Sequence, residues 1–194
     1  RELRELAYAG ASVLHEETIF PASEAGIPIV IKNTNRPQDA GTRIVKSRPH
    51  DDNAIVGIAG RRGFTTIYIE KALMNQQRGF GRRVLETLES HGISFEHVPT
   101  AIDSMSVVVS DEQLEDKQGV VIKELERVLQ PDRVEAVRGM ALIATVGEGM
   151  AHRIGVSGQL FAALRDANVN VRMISQGASE INIIVGVEQE NFET

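Results

Sequence analysis

The sequence predicts an α+β fold: two intertwined copies of a small βαββ unit, preceded by a short α/β segment. Three observations carry this expectation. Residues 67–109 return in pattern at residues 143–185 with one constant offset of 76 positions and no gap. Ile67 answers to Ile143, Gly79 to Gly155, Leu85 to Phe161, Leu88 to Leu164, Ile93 to Val169, Val98 to Ile174, Val107 to Ile183 and Val109 to Val185. Within each copy the apolar period changes from alternation to helical spacing and back, so strand, helix and strand follow one another. An apolar run at residues 54–59 belongs to neither copy, while the second copy stops before a closing helix and strand. The orphan run is therefore expected to be donated to the second copy, interlocking the two. Two copies are too few for a solenoid, which needs three or more.

Along the chain, Leu3, Leu6, Ala7, Gly10, Val13 and Leu14 fall at helical spacing, and a second short helix through residues 17–25 is stopped by Gly26. Residues 27–32 are a β-rich apolar run, and residues 33–41 are dense in turn formers. Residues 46–53 are polar, with Pro49, His50, Asp51 and Asp52, and are the expected linker. In the first copy Thr65 to Ile69 alternates as a strand, residues 78–81 turn, and Val84, Leu85 and Leu88 form one helical face. Gly92 ends that helix; residues 93–98 and 105–109 are expected strands. Val120, Val121, Leu125, Val128 and Leu129 mark a second helix closed by Pro131, with residues 134–137 as a fourth strand. The second copy repeats the scheme: strand 141–146, turn 147–155, helix 157–166, strands 169–174 and 181–187.

With 194 residues, 42% hydrophobic and 25% charged, the chain can bury a core of one to two domains. A net charge of -6, with 21 basic residues spread along the chain, argues against nucleic-acid or anionic-membrane partners. Cysteine is absent, which excludes disulfides and thiolate metal sites and suits a reducing, cytoplasmic setting. No apolar run reaches the roughly 18 to 20 residues of a membrane span. The start at Arg1 is read as that of a piece of a longer protein.

Chemistry is sparse. There is no Walker-type loop, and residues 147–152 fail the dinucleotide fingerprint because His152 stands at its third glycine position. His15, His50, His91, His97 and His152 are scattered without metal-ligand spacing, so no metal site is expected. No serine sits in a Gly-x-Ser-x-Gly elbow. What the copies offer is a pair of turns in which a strand runs through glycine into a helix. There, free backbone N–H groups and the positive helix end suit a carboxylate. The same glycines, Gly79, Gly81, Gly155 and Gly158, equally serve tight turns and close packing. The second strand carries Glu96 in the first copy and Arg172 at the matching position in the second. A free amino acid, whose ammonium group needs an acid, is therefore expected at the first copy, with Glu96 or Asp103 near the amine.

These residues resemble a known family. The repeated unit, read as βαββαβ, is similar to a tandem pair of ferredoxin-like ACT domains, the ligand-sensing modules of amino-acid biosynthesis. Residues 6–15 (LAYAGASVLH), 20–22 (FPA), 25–28 (AGIP), 33–35 (NTN) and 41–42 (GT) resemble the close of the aspartokinase catalytic domain. Residues 147–150 (GEGM) and 173–179 (MISQGAS) resemble the second ACT unit of that family. In those proteins one ACT unit is inserted within the other. The resemblance implies a catalytic-domain segment at 1–45, a linker at 46–53, a donated strand at 54–60, a first ACT domain at 65–138 and a second at 139–194.

The resemblance also implies a function. The whole enzyme would transfer the ATP γ-phosphoryl group, with Mg2+, to the β-carboxylate of L-aspartate on the route to lysine, threonine and methionine; this piece alone would hold no catalytic residue. Asn35 and Arg36 match a loop that approaches ATP. L-lysine and/or L-threonine would act as effector between ACT units of paired chains, in a homodimer or higher oligomer, at positions matching Met74, Gln77, Gly79, Gly81, Glu96 and His97. Gln77 stands where many members have Ser, and residues 100–104 (TAIDS) where many have a Thr-Ser-Glu run, which leaves the effector's identity open. A free-standing amino-acid sensor would share the duplicated units but would not need the first 45 residues. A pair of RNA-binding sheets would want exposed aromatics, and aromatics are 4%.

Overall fold

The computed structural model of the chain describes residues 1–11, 16–45 and 54–194. The expected linker at 46–53, with His50, lies outside them, as do Val13, Leu14 and His15. In chain order the elements are α1 (Glu2–Tyr8), α2 (Glu16–Glu24), β1 (Ile29–Ile31), β2 (Thr42–Ile44), β3 (Gly57–Glu70), α3 (Phe80–Ser90), β4 (Phe95–His97), β5 (Ser104–Ser110), α4 (Asp111–Leu114), α5 (Gln118–Leu129), β6 (Arg133–Val146), α6 (Val156–Asp166), β7 (Val171–Ser175) and β8 (Asn182–Glu188). Single 3-10 turns lie at Met74–Gln76, Glu148–His152 and Gln189–Asn191. Strands β1 and β2 pair with each other; the rest form one 6-stranded antiparallel sheet in the order β4-β5-β3-β6-β8-β7.

Two strands run on where separate ones were expected. The orphan run and the first strand of the first copy are one strand, β3; the strands expected at 134–137 and 141–146 are one strand, β6. Each crosses both units. The start of β3 pairs with the end of β6 (Gly57 with Val146, Arg61 with Leu142), and its end pairs with the start of β6 (Thr66 with Val137, Glu70 with Arg133). Between these stretches the register shifts, at Gly63 (φ 86°) and Gly139 (φ 78°), which stand at equivalent positions of the repeat. Such a bulge breaks the two-residue alternation and sharpens the twist, so the pattern reads as two strands where the chain makes one.

Other differences are local. The helix expected to reach Leu14 ends at Tyr8, because Gly10 (φ 115°) turns the chain flat against β3. A Cβ on Gly10 would stand 2.6 Å from the Gly60 carbonyl oxygen. Strand β2 was not expected from the polar turn before it; it pairs Ile44 with Ile29 and Thr42 with Ile31. Gly81 lies inside the first turn of α3, beyond the turn to which the sequence assigned it.

One face of the sheet is covered by helices. In the first unit Ile67, Ile69, Val107 and Val109 meet Phe80, Val84 and Leu88 of α3 and Val121, Leu125 and Leu129 of α5. In the second, Ala141, Ile183, Val185 and Val187 meet Val156, Leu160 and Leu164 of α6. The opposite face carries a smaller cluster of Phe64, Val108, Met140, Leu142 and Met173. Burial of these side chains is the main term holding the units together. Helix α1 lies over the same opposite side, its Leu6 against Gly57 and its Tyr8 beside Leu142 and Ile184.

Candidate functional site

Residues 71–79 leave β3 and are gripped by acids from the loops just before β5 and β6. The N–H of Ala72 donates to Asp132 Oδ2 at 2.6 Å, and that of Leu73 to Asp103 Oδ1 at 2.8 Å. Leu73 takes the left-handed conformation (φ 60°), uncommon for a residue with a side chain, so these bonds hold the turn open. Met74 is buried and plugs the turn into the core of the first unit. Gln77 is half-buried, with its Oε1 3.4 Å from Arg83 Nη2. Gly79 caps α3 at φ 73°, where a Cβ would come no nearer than 3.9 Å to Arg82 Nε; the backbone angle, rather than lack of room, requires glycine. The first turn of α3 has no side-chain cap and no acid. Its amides and positive helix end therefore suit an anionic group.

Glu96 and His97 lie on the other face of the sheet. A register shift between Phe95 and His97 turns both away from the helices, while Phe95 faces Leu85 and Leu88. The Glu96 side chain, 11% exposed, sits 3.3 Å from Arg61 Nη2 and accepts a hydrogen bond from Tyr8. Arg61 is stacked over the rings of Tyr8 and Phe64 at 5.2 and 5.3 Å. The space among Tyr8, Arg61, Glu96, His97, Leu142 and Ile184 is about 20 Å³, room for one water and no amino acid. Burial holds the His97 imidazole below its usual pKa, and neighbouring Glu96 offsets part of that shift. The six residues assigned to an effector thus fall into two groups within one chain: Met74, Gln77, Gly79 and Gly81 on the helical side, Glu96 and His97 beneath α1.

Asn35 and Arg36 stand in the exposed turn between β1 and β2. The Asn35 N–H donates to Asn33 Oδ1 at 2.9 Å, an Asx turn, and Arg36 pairs with Asp39 at 3.3 Å. In the second unit Arg172, the counterpart of Glu96, pairs with Glu188 at 3.0 Å. A groove of about 540 Å³ on the face away from α3, α5 and α6 is lined by Thr66, Tyr68, Ser106, Arg133, Arg172 and Met173, among others. Sequence reasoning missed Asp132, Tyr8 and Arg61. The first acts on a backbone amide and the other two on a residue far away in sequence, so no local pattern marks them. Among the described residues no group of three or more His, Asp or Glu could hold a metal ion, and no helix is long and apolar enough to cross a membrane.

Comparison with known proteins narrows the reading. Residues 143–194 match a family model described as ACT domain. The chain is 47% identical over 190 residues to Aspartokinase 3 of Bacillus subtilis (strain 168), a match spanning 97% of this chain and 42% of that protein. The structure of aspartate kinase from Clostridium acetobutylicum superposes with a TM-score of 0.94 at 52% identity, over 99% of this chain and 45% of that one. E. coli aspartokinase III in complex with aspartate and ADP (R-state) superposes with a TM-score of 0.82 at 30% identity, over 99% of this chain and 43% of that one. The same E. coli protein in complex with lysine and aspartate (T-state) gives 0.75 at 29%, over 99% and 42%. The chain spans less than half the length of these relatives.

Proposed function

We propose, from the premise that this chain belongs to the aspartokinase family, that it is the feedback-sensing part of an aspartate kinase. The observation that carries the reading is the match over 97% of the chain to Aspartokinase 3, which includes the segment before the duplicated units as well as the units themselves. A free-standing sensor would not need that segment. The whole enzyme would phosphorylate L-aspartate with ATP to 4-phospho-L-aspartate. Asn35 and Arg36, exposed at a tight turn, are the residues of this chain proposed to approach the nucleotide. The described residues offer no donor set for Mg2+, and no step of phosphoryl transfer is assigned to them.

The effector in this reading is L-lysine or L-threonine, its carboxylate at the start of α3 and its turn residues Met74, Gln77, Gly79 and Gly81. Glu96 and His97 lie across the sheet from that turn, near its β4 edge, and contribute where a second chain brings its own surface alongside. An effector can bias the attached kinase only by the difference in its affinity for two arrangements, typically about 1 to 3 kcal/mol. Lysine appears in the complex of E. coli aspartokinase III that superposes on this chain, which supports lysine as the first candidate. The test is sedimentation of the chain with and without L-lysine or L-threonine. A site shared by two chains makes the dimer tighter when its ligand is present; a dimer constant that neither ligand moves overturns the shared site.

A further inference from the structure

In the first unit the acid that caps the turn belongs to the unit itself. Ala72 N–H donates to Asp132 Oδ2, and Asp132 is fixed where β6 begins, its own N–H donating to the Glu70 carbonyl at 2.8 Å. The repeat offset carries Ala72 to Glu148 and Glu70 to Val146. In the second unit the Val146 carbonyl is met by the Val56 N–H, also at 2.8 Å. The segment leading into β3 therefore takes the backbone place of Asp132, but a valine brings no carboxylate. The acid comes from α1: the Glu148 N–H donates to Glu2 Oε1 at 2.8 Å. One turn further along α1, Glu5 Oε2 accepts from Asn182 Nδ2 at 2.7 Å, where β8 begins.

We propose that α1 is a structural member of the sensor, in which Glu2 stands in the second unit for Asp132 in the first, so that α1 and the turn at residues 147–152 dock and undock as one body. The consequence for regulation rests on the reading above: the helix that belongs to the segment before the ACT units holds the acid that the second unit's turn lacks, so reordering that turn moves the helix. A carboxylate aimed at an otherwise unpartnered amide is worth more than a neutral hydrogen bond, and its loss should be readable at that amide.

The experiment is residue-resolved amide hydrogen exchange on the chain and two variants. In Glu2→Ala, exchange at Glu148 rises about tenfold and the amides of Ala9 and Gly10 at the end of α1 follow, while Ala72 is unchanged. In Asp132→Asn, Ala72 exchanges faster while Glu148 and α1 keep their rates. Unchanged exchange at Glu148 in Glu2→Ala, or faster exchange there without any response in α1, overturns the proposal. This readout needs no effector. A chain that binds neither lysine nor threonine would remove the regulatory reading and leave the docking claim to stand or fall by its own rates.

Discussion

The hydroxyl of Tyr8 on α1 donates to Glu96 on β4 at 2.5 Å, across 88 residues of sequence, and Arg61 completes the pair from β3. Glu96 thus has an anchoring role that its position in the repeat did not suggest, besides the proposed contact with an effector amine. Two substitutions separate these roles. Tyr8→Phe removes only the Tyr8 bond of the anchor, leaving Arg61, and is expected to leave effector affinity within about twofold. Glu96→Ala takes the carboxylate away from Tyr8 and Arg61 as well as from the proposed contact, and is expected to weaken the effector about tenfold, the scale of one hydrogen bond to a charged group. Calorimetry on both variants reads the difference, and unchanged affinity in Glu96→Ala takes that residue out of the site.

The pH dependence of stability is expected to pass through His97. Its folded pKa is held below 6.5 by burial, so as pH falls the unfolded chain takes up the proton first. The contribution is therefore complete above 6.5 and is lost as pH falls through the lower folded value. Urea midpoints at about pH 8 and about pH 5 should fall more steeply in the parent than in His97→Gln. Parallel lines for the two proteins would contradict this.

Gly147 is expected to be intolerant of any side chain. Its backbone is ordinary extended chain, but a Cβ there would land on the Ala54 carbonyl oxygen and lie 3.0 Å from Ile55 Cα. The first unit has Lys71 at this position. Gly147→Ala should cost about 3 kcal/mol in chemical denaturation. Gly155→Ala, with a positive φ but nothing within 4 Å, should cost about 1 kcal/mol.

Thr145 is 1% exposed, and its hydroxyl has no hydrogen-bond partner among the described residues. The first unit places Ile69 at the same point, fully buried. Thr145→Val keeps the shape and removes the unpaired group, so it should stabilise the chain by about 1 kcal/mol, seen as a raised Tm. A lowered Tm would mean that the hydroxyl has a partner in solution.

Much of this architecture is legible in the sequence because apolar spacing reports burial. Val84 and Leu88, or Val121 and Leu125, mark helices whose inner faces are those that pack. The continuity of β3 and β6 was hidden by Gly63 and Gly139, where the bulges reset the alternation on which strand reading depends. At the site, the contrast of Glu96 with Arg172 could be read from the repeat, but the face of Glu96 could not, since the shift beside His97 puts two consecutive residues on one side. The acids Glu2 and Asp132 left no signal, because each serves a backbone amide. Any acid at the right point in space would do the same.

The most direct test of the central claim is calorimetric titration of this chain with L-lysine, L-threonine, L-methionine and L-aspartate in turn, then with lysine in the presence of threonine. A feedback sensor predicts saturable binding of lysine or threonine that Glu96→Ala weakens. Absence of binding by both would contradict an effector site in this chain and leave the duplicated units a role in dimerisation alone.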